Sequence, residues 1–323
     1  MEIKNSSIMN IRTSNECGAP AIQLNNGIKM PQVGLGTFLI PKENLSKTIA
    51  QAYEMGYRQF DTAWRYHNEA DIAKALKENG INRQDVFITT KVNVDALYFQ
   101  NYKYGYHSIF NVRNFKSIKQ VLKESFSNLN TDYIDLFLVH WPFPMYLDMY
   151  KELTKMYHQG RIRAIGVCSF LPPHIESLKE VSDVLPAVNQ FEISPLNTQK
   201  SLIKYCQRNG IAVEAMSTFS HFRSITPRKE ILENKVLKPI AEKYNKSIAQ
   251  IVLKWLINQN IIIIPKTWEF EHLRENIDLF DFDLTKEEME IIDSLDEGRF
   301  LNYNPYVTIN YVPRKYRLKW AGF

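Results

Sequence analysis

Eight short segments, almost wholly apolar, recur along this chain at 33–37, 57–61, 86–91, 135–140, 164–168, 188–192, 212–216 and 261–264. Between them lie stretches of helical character at 42–55, 68–79, 115–129, 147–159, 173–181, 199–209, 228–244 and 248–258, the first with its apolar residues spaced as Leu45, Ile49, Ala52 and Tyr53. A strand that is apolar along its whole length is buried on both faces, and strand–helix alternation delivers such strands in parallel. The pattern predicts an α/β chain with an all-parallel sheet covered by helices. Eight strands read naturally as a closed (β/α)8 TIM barrel, although an open doubly wound sheet gives a similar string. Ahead of the first strand, Ile22-Gln23-Leu24 and Ile28-Lys29-Met30 flank the turn Asn25-Asn26-Gly27 and predict a hairpin. Residues 1–20 read as an irregular extension, leaving 21–323 as a single barrel domain.

The strand ends carry the chemistry. Three successive strands finish on Asp61, Lys91 and His140, and Tyr66 lies just beyond the first of them. Parallel neighbours about 4.8 Å apart bring such side chains to one rim. Each has a bland reading alone: an ion pair for Asp61 and Lys91, a core phenol for Tyr66, a satisfied histidine for His140. Burying an imidazole nitrogen unpaired costs roughly 1–3 kcal/mol, so a histidine ending a buried strand needs partners. Together the four residues describe an acid–base site.

Six phrases resemble the signatures of the aldo-keto reductases. They are Gly56-Tyr57-Arg58-Gln59-Phe60-Asp61-Thr62-Ala63 with Tyr66 and Asn68-Glu69, Ile88-Thr89-Thr90-Lys91, Asp135 through Pro142, Gly166-Val167-Cys168-Ser169-Phe170, Asn189-Gln190-Phe191-Glu192, and Ile264-Pro265-Lys266-Thr267. They occur in order between about residue 22 and about residue 295. The resemblance implies a barrel closed at its bottom by the hairpin. It also implies NADPH-dependent reduction of an aldehyde or ketone, with Asp61, Tyr66, Lys91 and His140 as the catalytic residues. In that scheme Tyr66 is the acid, and a lysine cation about 4 Å away, worth on the order of 4 kcal/mol, would lower its pKa toward neutrality. Asp61 keeps Lys91 charged, and His140 offers a ring N–H to the carbonyl oxygen.

The resemblance also implies cofactor contacts at Thr37, Cys168, Ser169, Gln190, Met216, Ser217, Lys266, Thr267, His272, Glu275 and Asn276. Lys266 and Thr267 match positions that meet the 2′-phosphate of NADP, and a cation and a hydroxyl suit that group. Several positions depart from the family pattern. Cys168 and Ser169 stand for serine and asparagine, Met216 for an aromatic, Ser194 for a histidine, and His272 for an arginine whose bidentate grip histidine does not match. NADPH is therefore the expected cofactor, with NADH as the alternative. Gly34-Leu35-Gly36 is a poor dinucleotide fingerprint, because Leu39 holds the third glycine position.

Substrate contacts are expected at Phe38, Trp64 and Trp141, and from an aromatic-rich insertion at 92–114 and a tail at 300–323. So aromatic a rim suits a bulky or aromatic small-molecule carbonyl substrate. The net charge of +5, from 40 Lys+Arg against 35 Asp+Glu, is mild and scattered, and predicts no nucleic-acid partner. The absence of a long apolar run or a signal-like N-terminus predicts no membrane span and a cytoplasmic setting, which three cysteines without metal spacing also fit. No metal is expected. Two rivals remain: a nucleotide-sensing regulatory subunit on the same barrel, and an NADH-preferring alcohol dehydrogenase in a biosynthetic pathway.

Overall fold

The computed structural model describes residues 20–93, 117–219, 225–301 and 304–319. The chain opens with a hairpin that pairs β1 (Ala21–Gln23) antiparallel with β2 (Lys29–Pro31). Gly27 turns it at φ +85°, a backbone region open to glycine because it has no Cβ.

Strand and helix then alternate as β3 (Leu35–Gly36), α1 (Lys42–Glu54), β4 (Gln59–Asp61), α2 (Glu69–Glu78), β5 (Phe87–Val92), α3 (Ile118–Asn128), β6 (Ile134–Val139) and α4 (Tyr146–His158). They continue as β7 (Ile162–Cys168), α5 (Pro172–Leu178), β8 (Val188–Glu192), α6 (Lys200–Arg208), β9 (Ala212–Met216), α7 (Ile225–Leu232), α8 (Lys238–Tyr244), α9 (Ile248–Asn258) and β10 (Ile262–Ile263). Beyond the last strand come α10 (Phe270–Ile277), α11 (Lys286–Asp293), a 3-10 turn at Pro305–Tyr311 and α12 (Arg314–Lys319).

The eight strands β3 to β10 lie parallel in sequence order. The ring then closes on itself. Val33 bridges Ile263 in parallel, Gly34 N–H donates to Ile263 O at 2.8 Å, and Ile263 N–H donates to Gln32 O at 2.9 Å. The seam is tight enough that a Cβ on Gly36 would stand 2.8 Å from Ile264 O. The fold is thus a (β/α)8 barrel, and the open-sheet alternative is excluded.

The hairpin plugs the N-terminal end. Ile22, Leu24 and Met30 pack with Phe87, Leu136, Leu138, Ala164, Val188 and Ile262 from the barrel interior. Asn25 and Asn26 donate their side-chain N–H groups to Pro186 O and Arg163 O, which precede β8 and lie early in β7. The helices cover the outside through a second, larger apolar cluster.

Two features depart from the reading of the sequence. The stretch 228–244 is broken into α7 and α8. There Asn234 Oδ1 accepts the N–H groups of Val236 and Leu237, offering the backbone an alternative to helix, and Pro239 lies in the first turn of α8. The helices α10 to α12 were not anticipated. For α11 a signal existed, since Thr285 and Glu288 form a capping box with each other's backbone N–H. Among the described residues no helix is long and apolar enough to cross a membrane.

Candidate active site

Strands β4, β5 and β6 are neighbours in register, with Asp61 beside Thr89 and Lys91 beside Leu138, so their last residues share the rim opposite the hairpin. There the Lys91 ammonium donates to Asp61 Oδ1 at 2.6 Å, to Asp61 Oδ2 at 2.7 Å and to Thr62 O at 2.9 Å. Tyr66 closes a 3-10 turn at Trp64–Tyr66 that follows β4. The turn lays its ring 5.1 Å from Lys91 Nζ, 5.7 Å from the His140 imidazole at a steep 75°, and 4.5 Å from Phe38. The structure therefore brings together the four residues singled out at the strand ends.

Behind Asp61 is a polar lattice. The Thr37 hydroxyl donates to Asp61 O at 2.8 Å, Asn68 donates its amide to Thr37 O and Oγ1, and the Thr62 hydroxyl donates to Asn68 Oδ1 at 2.6 Å. These bonds fix the backbone that carries the carboxylate. Thr37, expected near the cofactor, is fully buried and held by this lattice.

Burial sets the protonation states. Loss of water pushes the Tyr66 phenol up to about 12; Lys91 pulls the other way and Asp61 adds to the rise. Lys91 alone does not bring the phenol toward neutrality, because desolvation of the phenolate is the larger effect. Burial also works against the Lys91 ammonium, but Asp61 outweighs it and holds the group above its ordinary value. His140 is driven well below the usual histidine range by burial, then by the charges of Lys91 and Arg65. Its ring is therefore neutral, stacked on Trp141 at 5.5 Å, and its buried Nδ1 has no hydrogen-bond partner among the described residues. The Cys168 thiol is likewise pushed well above its ordinary value by burial and stays protonated.

Beneath this rim lies a feature that the strand-end reasoning missed. Glu214 of β9 is wholly buried inside the barrel. Gln190 Nε2 reaches its Oε2 at 2.6 Å and Asp61 Oδ2 at 3.0 Å, so one amide nitrogen bridges two carboxyl groups. Gln59 Nε2 reaches Glu214 Oε1 at 2.6 Å. Burial, then the nearby Asp61 charge, pushes the Glu214 carboxyl up to about 7. A sequence signal existed, a lone carboxylate among apolar neighbours in Ala212-Val213-Glu214-Ala215. Gly34 makes room for this network, because a Cβ there would stand 2.7 Å from Gln59 Cδ.

The other expected cofactor positions lie at or just after the ends of β7, β9 and β10, on α10, and, for Gln190, within β8. The Cys168 thiol points to Gln190 Oε1 at 3.7 Å, so the Gln190 amide faces into the barrel with both ends engaged. Ser169 and Ser217, directly after β7 and β9, hold left-handed backbone at φ +58° and +55°. Such conformations cost of order 1–3 kcal/mol and gather at functional sites. Met216 is half-buried at the end of β9. After β10, Lys266 lies 4.7 Å from the Trp268 ring. Its ammonium is pulled below its ordinary value, first by loss of water and then by the Arg228 guanidinium, although the residue is exposed. Thr267 is buried with its oxygen accepting from Glu269 N–H at 3.1 Å, His272 is exposed, Glu275 accepts from the Ser247 hydroxyl, and Asn276 is buried. A cation and a hydroxyl at this corner, within reach of the Arg228 charge, suit a phosphate group. Arg228 on α7 escaped the reading of the sequence, where nothing local ties it to Lys266.

Of the expected substrate contacts, Phe38 and Trp141 are half-buried at the rim. Trp64 is packed in the core, with its indole N–H donating to Glu124 of α3 at 2.9 Å. The insertion at 92–114 lies outside the described residues beyond Asn93, as do parts of the tail. Among the described residues no cluster of three or more His, Cys, Asp or Glu could hold a metal.

A sequence profile described as the Aldo/keto reductase family matches residues 32–297. The chain is 37% identical over 286 residues to a glyoxal reductase of Bacillus subtilis, covering 88% of this chain and 95% of that protein. It is 36% identical over 290 residues to the methylglyoxal reductase DkgA of Yersinia pestis, covering 89% of this chain and 97% of the relative. Among solved structures, a Bombyx mori aldo-keto reductase in complex with NADP superposes with a TM-score of 0.75 at 32% identity, covering 88% and 95% of the two chains.

Proposed function

The chain belongs to the aldo/keto reductase family, and we propose that it is an NADPH-dependent carbonyl reductase in which Tyr66 gives the proton. The observation that carries this reading is the convergence of Asp61, Lys91, Tyr66 and His140 on one rim of the barrel. When bound, the reduced nicotinamide supplies the hydride.

The chain's own residues do the rest. A neutral His140 donates one ring N–H to the carbonyl oxygen and orients it. Tyr66, fully protonated at neutral pH, transfers its proton to that oxygen as negative charge builds there. A phenol near 12 remains a competent acid for this step, because an alkoxide is a far stronger base than a phenolate. Lys91 stabilises the phenolate left behind, and Asp61 keeps Lys91 a cation.

Lys266, Arg228 and Thr267 would hold a 2′-phosphate, which favours NADPH over NADH. The inward-facing Gln190 amide supports a looser grip on the nicotinamide end, which is the observation that favours the NADH-using or nucleotide-sensing alternatives. The relatives named for glyoxal and methylglyoxal favour a short reactive carbonyl as substrate, with Phe38 and Trp141 leaving space for a larger apolar one. The cytoplasmic setting, and residues 1–20 as an extension to one barrel domain, belong to the same proposal.

The test is Tyr66→Phe. Turnover of methylglyoxal should fall by about 10²–10⁴-fold, while NADPH affinity, read by quenching of tryptophan fluorescence, stays unchanged. A phenylalanine variant as fast as the wild type would sink the assignment. Cofactor binding by a wild type that reduces no carbonyl on a panel would favour the sensing role.

A further inference from the structure

We propose that Glu214 is a positioning residue for this reduction: protonated, it lets Gln190 hold Asp61 against Lys91, and ionised, it adds a negative charge that weakens Tyr66 as an acid. The role rests on the reductase reading above and goes beyond it by placing a control group one layer below the reacting atoms.

The geometry is a chain of contacts. Gln59 meets Glu214 at 2.6 Å, Glu214 meets Gln190 at 2.6 Å, Gln190 meets Asp61 at 3.0 Å, and Asp61 meets Lys91 at 2.6 Å, with the Tyr66 ring 5.1 Å beyond. All four groups from Gln59 to Asp61 are buried. The two N–H bonds of the Gln190 amide go one to each carboxyl, so the amide cannot leave one without loosening the other.

Charge counting gives the proton a place. From β4, Gln59 and Asp61 face Glu214; from β5, Lys91; from β7, the Cys168 thiol; from β8, Gln190. Its paired position on β10 is the apolar Ile262, and β6 contributes Leu136 and Leu138 to the interior. One cation therefore serves two carboxyl groups in the buried interior. With both ionised the cluster carries a net negative charge, and two carboxyls sharing a buried site keep one proton between them. The Gln59 contact agrees. The other end of the amide that meets Glu214 at 2.6 Å, Gln59 Oε1, has no partner among the described residues. Turned end for end, the Gln59 amide offers its oxygen to a Glu214 O–H donor.

The sign follows. Proton donation leaves a phenolate on Tyr66, which Lys91 stabilises. A second negative charge below Asp61 offsets that stabilisation, so reduction should slow as pH rises through the ionisation of Glu214, well before Tyr66 itself ionises.

The experiment compares wild type with Glu214→Gln, which keeps the shape and removes the ionisation. Turnover of methylglyoxal by NADPH is measured across the neutral range, beside an infrared titration of the carboxylic acid C=O band. The expected result is a wild-type rate that falls on the alkaline side with the midpoint of a carboxyl band. The variant should lack both the band and that limb. Glu69 is another carboxyl held up by burial, so the wild-type-minus-variant difference spectrum makes the assignment. If Glu214→Gln does not fold, the wild type is compared with Glu69→Gln. A band that survives and titrates with turnover then supports the role, and no surviving band overturns it. Superimposable pH profiles of wild type and Glu214→Gln overturn it too. A wild type without turnover at any pH overturns the reductase reading itself, and this role with it. A wild type that turns over without the limb removes the role of Glu214 alone.

Discussion

The Lys91 ammonium grips both oxygens of Asp61, at 2.6 and 2.7 Å, where solvent reaches neither side chain to any useful extent. Removing one partner leaves the other charge buried and uncompensated, which costs about 3–5 kcal/mol, whereas removing both together does not. Asp61→Leu and Lys91→Met should each lower the stability in urea unfolding by that order. The double variant should recover most of the loss and still lack turnover. Equal losses in singles and double would show that the pair is not an isolated unit.

A second buried carboxylate should behave differently. Asp135, early in β6, accepts from Arg83 and Arg163 at 2.7 Å each and from Ile88 N–H at 2.9 Å, at the hairpin end of the barrel. Asp135→Ala leaves Ile88 N–H and two partly exposed guanidinium groups without their acceptor and should cost about 1–3 kcal/mol of stability, less than a fully buried pair because water reaches Arg83 and Arg163. The KM for substrate should be unchanged at temperatures where the variant is folded. A changed KM in the folded variant would mean that strain passes from one end of the barrel to the other.

Acid should loosen the C-terminal segment through His174. Its Nδ1 accepts from Leu171 N–H at 3.1 Å, which leaves the proton on Nε2, 3.3 Å from Thr308 O. Burial lowers this imidazole to about 4, against 6.5 for a free histidine. The folded state thus binds its proton later than the unfolded chain does. The stabilising effect is fully present above pH 6.5 and is lost as pH falls toward 4, by about 3 kcal/mol at most. His174→Gln should flatten the acid side of the stability curve over that window. An unchanged slope would locate acid sensitivity elsewhere.

The cofactor assignment can be read through one side chain. Lys266→Met should weaken NADPH binding by about 10–100-fold, the equivalent of one charge-assisted bond of 1.5–3 kcal/mol. It should leave NADH binding alone, because only NADPH carries the phosphate. Equal loss for both nucleotides would place Lys266 elsewhere along the cofactor.

Much of this molecule was written in local pattern. Apolar strands and helical spacing depend on neighbours a few residues away, so the eight-strand alternation and the hairpin could be read directly. Because parallel strands all end on the same side, Asp61, Lys91 and His140 could be placed on one rim from their positions alone. The turn that swings Tyr66 toward them is equally local.

What the linear order could not carry is which interior side chains meet across the barrel. Gln59, Gln190 and Glu214 come from three strands and are up to 155 residues apart, yet they form one hydrogen-bonded chain with Asp61. Gln190 and Glu214 are paired neighbours on β8 and β9, and closure of the ring, with Gly34 making space, brings Gln59 and Asp61 of β4 to them. The same holds for the Tyr66 phenol. A lysine nearby can be guessed from sequence, but desolvation sums over everything packed around the ring, and here it outweighs the lysine. Trp64 turns to Glu124 and the core, and the Arg228 charge reaches Lys266, for the same reason: side-chain destinations are decided by the whole packing. Spacing along the chain says which residues end a strand; three-dimensional packing decides what each one touches and at what charge.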